Sequence, residues 1–112
     1  MSSLKKYVCQ VNSDQFIEYE YNIFTKSCWI NDMFLDIDLL RPFFILFELS
    51  VSELHEKGID YFVQTVSIGE WESFLQSDDG WRVLNKNEED VTIECNIFDA
   101  PACFASGLGI NL

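Results

Sequence analysis

A chain of 112 residues, 48% hydrophobic and 15% aromatic, has the length and apolar content to bury a core, which argues against a disordered polypeptide. Nineteen acidic against seven basic residues give a net charge of -12, divided almost evenly between the two halves, so the charge covers a folded body and is not an appended tail. Such a surface repels phosphate backbones and anionic lipid, arguing against direct nucleic-acid or membrane binding, and steers cations inward.

In chain order, Tyr7 to Val11 reads as a first strand, Asn12 to Asp14 as a turn, and Glu18 to Ile23 as a half-buried strand with Tyr19, Tyr21 and Ile23 on one face. Cys28 to Ile30 and Met33 to Ile37 flank Asn31 and Asp32 as a hairpin, unless the second run opens a short helix. Arg41 precedes Pro42 and is expected to be extended; Phe43 to Phe47, a continuous apolar run, then reads as a strand covered on both faces. Ser50 and Glu53 have capping-box spacing and Gly58 a stop signal, predicting a short helix over 51–57. Tyr61 to Val66 follows as a strand. Ser67 and Glu70 cap a second helix carrying Trp71, Phe74 and Leu75, which ends at Asp78-Asp79-Gly80. Trp81 to Leu84 and Val91 to Phe98 form a hairpin across the polar turn 85–90, and the small, apolar stretch 100–112 closes the chain. The pattern predicts a single α+β domain over residues 1–112, a mostly antiparallel sheet packed with two or three short helices. Its expected core comprises Phe44, Phe47, Phe62, Val63, Trp71, Phe74, Val83, Ile93 and Ile97.

Catalytic and metal motifs are sparse. Ser27-Cys28-Trp29 matches a fragment of a papain-like cysteine signature without its preceding Cys-Gly, and His55, the one histidine, sits on the short polar helix. Glu18 and Glu20 share a strand face, as solvated residues do. Asp36-x-Asp38 lacks the glycine and distal glutamate of a calcium loop, and Gly107-Leu108-Gly109 has no following helix to receive a phosphate. Cys9, Cys28, Cys95 and Cys103 lack disulfide or zinc spacing and read as thiols of a cytoplasmic protein, in keeping with the absence of an apolar signal core. No cofactor is expected.

The densest run of acids is 70–99. Glu70, Glu72, Asp78, Asp79, Glu88, Glu89 and Asp90, with Trp81 as an aromatic anchor, form the expected binding face for a basic protein. In size, acidity and aromatic content the chain resembles the immunity proteins of bacterial toxin systems, such as those of colicins and contact-dependent inhibition and the ribonuclease inhibitor barstar. The resemblance implies a non-enzymatic inhibitor that occludes a cognate basic toxin, in particular a nuclease. The alternatives are a nucleic-acid mimic that blocks defence enzymes, and a small enzyme or ligand-binding domain with a pocket lined by Phe43, Phe44, Phe47 and Trp71.

Overall fold

The computed structural model describes residues 4–12, 15–76 and 80–107. It divides into two units, Met1–Asp60 and Tyr61–Leu112.

In the first unit, strands β1 (Leu4–Asn12), β2 (Gln15–Asn22) and β3 (Ser27–Phe34) form an antiparallel meander beside one long helix, α1 (Leu40–Glu56). Strand β2 buries Tyr19 and Tyr21 as its sequence predicts, together with Gln15 and Ile17, while Phe16, Glu18, Glu20 and Asn22 stay half-buried on the opposite face; Ile23, expected to share the buried face, lies beyond the strand's end and is exposed. The turn after it is set by Asn22, whose Oδ1 accepts the Phe24 amide at 2.9 Å, and by Lys26 at a left-handed φ of 57°. The expected hairpin at Asn31-Asp32 does not form. Strand β3 runs straight through it, and the register slips by one residue, pairing Glu18 with Asp32 and Tyr19 with Ile30 so that Asn31 bulges. Asn31 then spends its side-chain amide on Glu18 Oε2 at 2.6 Å.

The larger correction concerns Phe43 to Phe47. This run is helical, in the first half of α1, and the helix expected over 51–57 is the second half of the same element. Buried Phe43, Phe47, Ser50 and Leu54 recur at spacings of three and four, with Phe44 and Val51 alongside, so the stripe that faces the strands spans three turns. Ile45 and Leu49, which a strand would place on the same face as Phe47, are exposed. Pro42 stands in the first turn, where a missing amide costs no helical bond, so it neither extends Arg41 nor starts a strand. Ser50 is consequently a buried mid-helix residue and caps nothing. Gly58 does stop the helix: at φ 99° its amide reaches the His55 carbonyl at 2.9 Å.

In the second unit, β4 (Tyr61–Ser67), β5 (Arg82–Lys86) and β6 (Asp90–Asn96) pair antiparallel in the order β4-β6-β5. Ser67 caps α2 (Ile68–Glu70) as its spacing predicts, its Oγ accepting the Glu70 amide at 3.1 Å. That turn widens into a π turn over Trp71–Leu75, closed by the Gln76 amide on the Trp71 carbonyl at 2.7 Å. Helix α3 (Ala100–Gly107) forms from the C-terminal stretch. The α+β class therefore holds, and the strand pairings within each unit are antiparallel. Of the expected core, Phe44 and Phe47 are buried in the first unit, and Phe62, Trp71, Ile93 and Ile97 in the second. Val63 is half-buried and Val83 is 47% exposed, because β5 lies at an edge with one partner and shows no buried face. The Phe74 side chain lies outside the described residues.

Candidate functional site

The first unit brings its reactive side chains together where β1 and β2 meet α1. Register pairs Tyr7 with Tyr19 and Cys9 with Ile17, so Tyr7 and Cys9 share the face of β1 that continues the buried face of β2. The Tyr7 and Tyr19 rings lie 6.1 Å apart at 42°, and Tyr19 meets Phe47 of α1 edge-on at 6.3 Å. Helical steps of three then place Phe47, Ser50 and Glu53 along one line on α1. Tyr19 reaches Ser50 Oγ at 2.6 Å, and Ser50 donates onward to the Phe47 carbonyl at 2.8 Å. Half-buried Tyr7 donates its hydroxyl to Glu53 Oε2.

The electrostatics of this cluster follow from burial. Desolvation, helped by the hydrogen bond to Glu53, holds the Tyr7 phenol far above its ordinary range, so it stays a neutral donor. Burial likewise raises the Cys9 thiol and pushes Cys28 up to about 12. Both cysteines are thiols at neutral pH, which removes the basis for a Cys28 nucleophile. At the rim, Lys57, four residues after Glu53, holds its ammonium 6.0 Å from the centre of the Tyr7 ring. A carboxylate that accepts from a phenol, an aromatic face and a resident ammonium thus converge at one place.

The other candidates are structurally committed. His55 Nδ1 lies 3.2 Å from the Ile59 carbonyl and 3.6 Å from Asp60 Oδ1, securing the end of α1, and Asp60 also pairs with Lys26 at 3.9 Å. Glu18 and Glu20 are half-buried, with Glu18 tied to Asn31, and do not form an open row of charges. Among the described residues, no three or more His, Cys, Asp or Glu side chains gather as metal ligands.

The acidic face expected over 70–90 is divided. Glu70 is half-buried on α2, Glu72 exposed on the π turn, and Asp78 and Asp79 lie outside the described residues. Glu88, Glu89 and Asp90 are exposed in the β5–β6 turn, where Asn87 Oδ1 accepts the amides of Glu89 and Asp90 at 2.8 Å each. The Glu89 carbonyl accepts the Ile68 amide at 2.9 Å, which brings this turn beside the start of α2. Trp81 is not an exposed anchor. It is 7% exposed and tilted against Phe62 at 6.4 Å. Its indole nitrogen is buried without a hydrogen-bond partner. Arg82 is held by Glu94 and lies 5.4 Å from the centre of the Tyr61 ring.

The sequence reading did not single out Tyr7 or Glu53. Only the helical period across 47, 50 and 53 places Glu53 at the inner margin of α1, and that period is hidden when 43–47 is read as a strand.

No family model and no curated protein matches the chain. Among solved structures, the fold is similar to that of an acetyltransferase from Bacillus cereus ATCC 14579, with a TM-score of 0.51 and 11% identity over 83% of this chain and 74% of that one. A PaiA N-acetyltransferase from Thermoplasma acidophilum, solved with coenzyme A, aligns at a TM-score of 0.48 and 16% identity over 73% of this chain and 52% of its own. At such identities the likeness is one of fold. It nevertheless corrects the resemblance to toxin immunity proteins and, with it, the non-enzymatic inhibitor and its cognate basic toxin or nuclease partner. Charge and aromatic content are bulk properties that many topologies share, whereas the fold here is similar to that of a solved acetyltransferase. As to the membrane, no helix among the described residues is long and apolar enough to cross one.

Proposed function

We propose that the chain is a small enzyme-type, ligand-binding domain on an acetyltransferase fold, and that it holds an amine-bearing ligand at Tyr7 and Glu53. The observation that carries this reading is the position of Lys57. The chain's own ammonium stands 6.0 Å from the centre of the Tyr7 ring, whose hydroxyl donates to Glu53. An ionised carboxylate accepts hydrogen bonds at both oxygens, and one phenol does not exhaust that capacity, so an incoming ammonium finds an acceptor and an aromatic face together. The net charge of -12 draws cations toward the body as a whole, and Tyr7 fixes the orientation of this exposed carboxylate. Chemically, Glu53 can accept a hydrogen bond from an ammonium while Tyr7 keeps its own proton and donates. The bulge at Asn31 is a feature over-represented next to active sites, and it lies on the strand adjacent to β2. The fold likeness to an acetyltransferase, a class that modifies nucleophiles such as amines, supports the enzymatic side of the reading.

The test is an NMR titration with benzylamine, using benzyl alcohol as the uncharged control. Saturable shifts at Tyr7, Glu53 and Lys57 are expected from the amine alone. Glu53→Gln should weaken them about tenfold, in keeping with a charge-assisted hydrogen bond. Glu56→Gln, an exposed acid one turn away, should not. Equal responses to amine and alcohol, or equal effects of the two substitutions, would refute the assignment.

A further inference from the structure

Among the described residues, strand β1 pairs with β2 alone. Its other edge carries the amides and carbonyls that every second residue of an outer strand turns away from its neighbour. The pairing with β2 is continuous from Leu4 to Gln10, and its one irregularity lies beyond, between Gln10 and Asn12. No proline or glycine interrupts the strand. The outer strand of the second unit, β5, differs: it has five residues, and its register shifts between Val83 and Asn85, a bulge that spoils an edge for further pairing.

The sequence of β1 is compatible with a copy of itself. Read antiparallel about Val8, the segment Lys6-Tyr7-Val8-Cys9-Gln10 meets its own reverse: Val8 opposes Val8, Tyr7 opposes Cys9, and Lys6 opposes Gln10. Antiparallel pairs join residues whose backbones point the same way, so a two-fold axis passes through a residue and the choices are few. An axis at Lys5 or Lys6 sets lysine against lysine, one at Tyr7 sets Lys6 against Val8, and one at Cys9 carries the pairing into the irregular end of the strand. An axis at Val8 opposes no like charges, keeps residues 6–10 of both strands within the regular stretch, and covers Val8, which is 53% exposed.

Charge selects the same surface. Two bodies of net charge -12 repel, so copies meet best where acids are absent. No acid precedes Asp14, the longest such stretch in the first unit, and Lys5 and Lys6 are exposed on β1. Glu18 and Glu20 stand one strand further in, on β2.

We propose that β1 is an interaction edge for a second copy of this chain, and that two copies pair antiparallel through residues 6–10 about an axis at Val8. The pairing joins the two first-unit sheets into one continuous sheet. Lys6, Val8 and Gln10 lie on the face of β1 opposite Tyr7 and Cys9, so substitutions there leave Tyr7 and Glu53 in place, and the proposal stands apart from the amine reading.

The test is sedimentation equilibrium of the full chain at about 0.5 M salt, where the Debye length is about 4 Å and the overall repulsion is screened. The wild-type chain is expected to reach half dimer at or below about 1 mM, the range of a small, weak interface. Gln10→Glu places a carboxylate opposite Lys6 twice in each dimer and should tighten association at least about threefold; Gln10→Lys sets lysine against lysine and should weaken it at least about threefold. Net charge alone predicts the reverse order, because Gln10→Glu makes each body more negative and Gln10→Lys less. Val8→Lys, which opposes like charges at the axis, should weaken association at least about tenfold, and the Gln10 pair decides the matter if that variant does not fold. Amide exchange at alternate residues of 6–10 should slow as the concentration of the wild-type chain rises. A chain that stays monomeric at about 1 mM, a ranking of the Gln10 variants that follows net charge, or a dimer protected elsewhere than at residues 6–10 would overturn the proposal.

Discussion

The hydroxyl relay from Tyr19 through Ser50 to the Phe47 carbonyl makes an asymmetric prediction. Tyr19 is 0% exposed and its hydroxyl has Ser50 Oγ as partner at 2.6 Å. Ser50 gives its single proton to the Phe47 carbonyl at 2.8 Å, so Tyr19 is the donor of the first bond and Ser50 the acceptor. Tyr19→Phe removes the donor but leaves Ser50 with its own bond made, and should cost about 0.5 to 1.5 kcal/mol, the net worth of one hydrogen bond. Ser50→Ala does something worse: it leaves a fully buried phenol with nothing to donate to, adding a desolvation cost of about 1 to 3 kcal/mol to the lost bond. The double variant has no orphan and should cost about as much as Tyr19→Phe alone. The coupling then equals the Ser50→Ala loss itself, about 1.5 to 4.5 kcal/mol, well above the roughly 0.3 to 0.5 kcal/mol scatter of independent sites. Urea unfolding of the four proteins, fitted with a common m-value, measures all of it. If Ser50→Ala costs no more than Tyr19→Phe, or the two simply add, then the relay does not exist as drawn and Tyr7 loses the support that its neighbour Tyr19 provides.

Two further expectations follow from the same unit. Burial raises the Tyr7, Cys9, Tyr19 and Cys28 values in the folded chain, Cys28 to about 12, so the folded state keeps protons that the unfolded chain releases. The stability they contribute is fully present below about pH 9 and is lost as pH climbs toward 12, by up to about 1.4 kcal/mol per pH unit for each group; Cys28→Ala should flatten that decline in a pH series of urea midpoints, and an unchanged slope would contradict the buried thiol. The helix over 40–56 makes a second expectation: Phe47→Ala should cost about 3 to 5 kcal/mol while Leu49→Ala, two residues away, stays within about 0.5 kcal/mol, and similar losses at both would restore a strand-like reading of the segment.

The legible parts of the fold were those with a local code. The alternation of Glu18 to Asn22, the Ser67 cap and the Gly58 stop each rest on residues a few positions apart and are found where the sequence places them, although the strand begins earlier, at Gln15, and Ile23 is exposed after its end. The run Phe43 to Phe47 was misread because five apolar residues carry no period. Only the continuation through Ser50, Val51 and Leu54 shows that burial advances by three and four, and the spacing of Ser50 and Glu53 mimics a capping box inside what is a continuous helix. The single strand through Asn31 and Asp32 was hidden for a related reason. A turn-forming pair inside a strand is compatible with a bulge, and only the pairing with β2 decides between the two. The candidate site was illegible for a reason of distance, since Tyr7 and Glu53 are separated by 46 residues and meet only through the register of β1 on β2 and the rotation of α1.

Acidity misled the sequence reading by being counted in bulk, whereas in the structure the acids act at particular places. Asp36 accepts a backbone amide, Glu94 holds Arg82, Glu18 accepts from Asn31, and Glu53 accepts from Tyr7. The first is spent on the start of a helix, the second on a cation, the third on a bulge. Of these four, Glu53 alone pairs with a half-buried hydroxyl and has an ammonium of the same chain standing beside its partner's ring. A carboxylate is informative about function when its neighbours are not needed to form the element it sits on. Glu53 lies in the last turns of α1, where no cap requires it and where the helix dipole disfavours negative charge, so its position there is a local cost that the bond to Tyr7 offsets. The same dipole favours Asp36 and Asp38 at the opposite end. The two ends of one helix therefore carry acids in opposite settings: at its start they favour the helix, and near its finish Glu53 is held against the dipole by Tyr7.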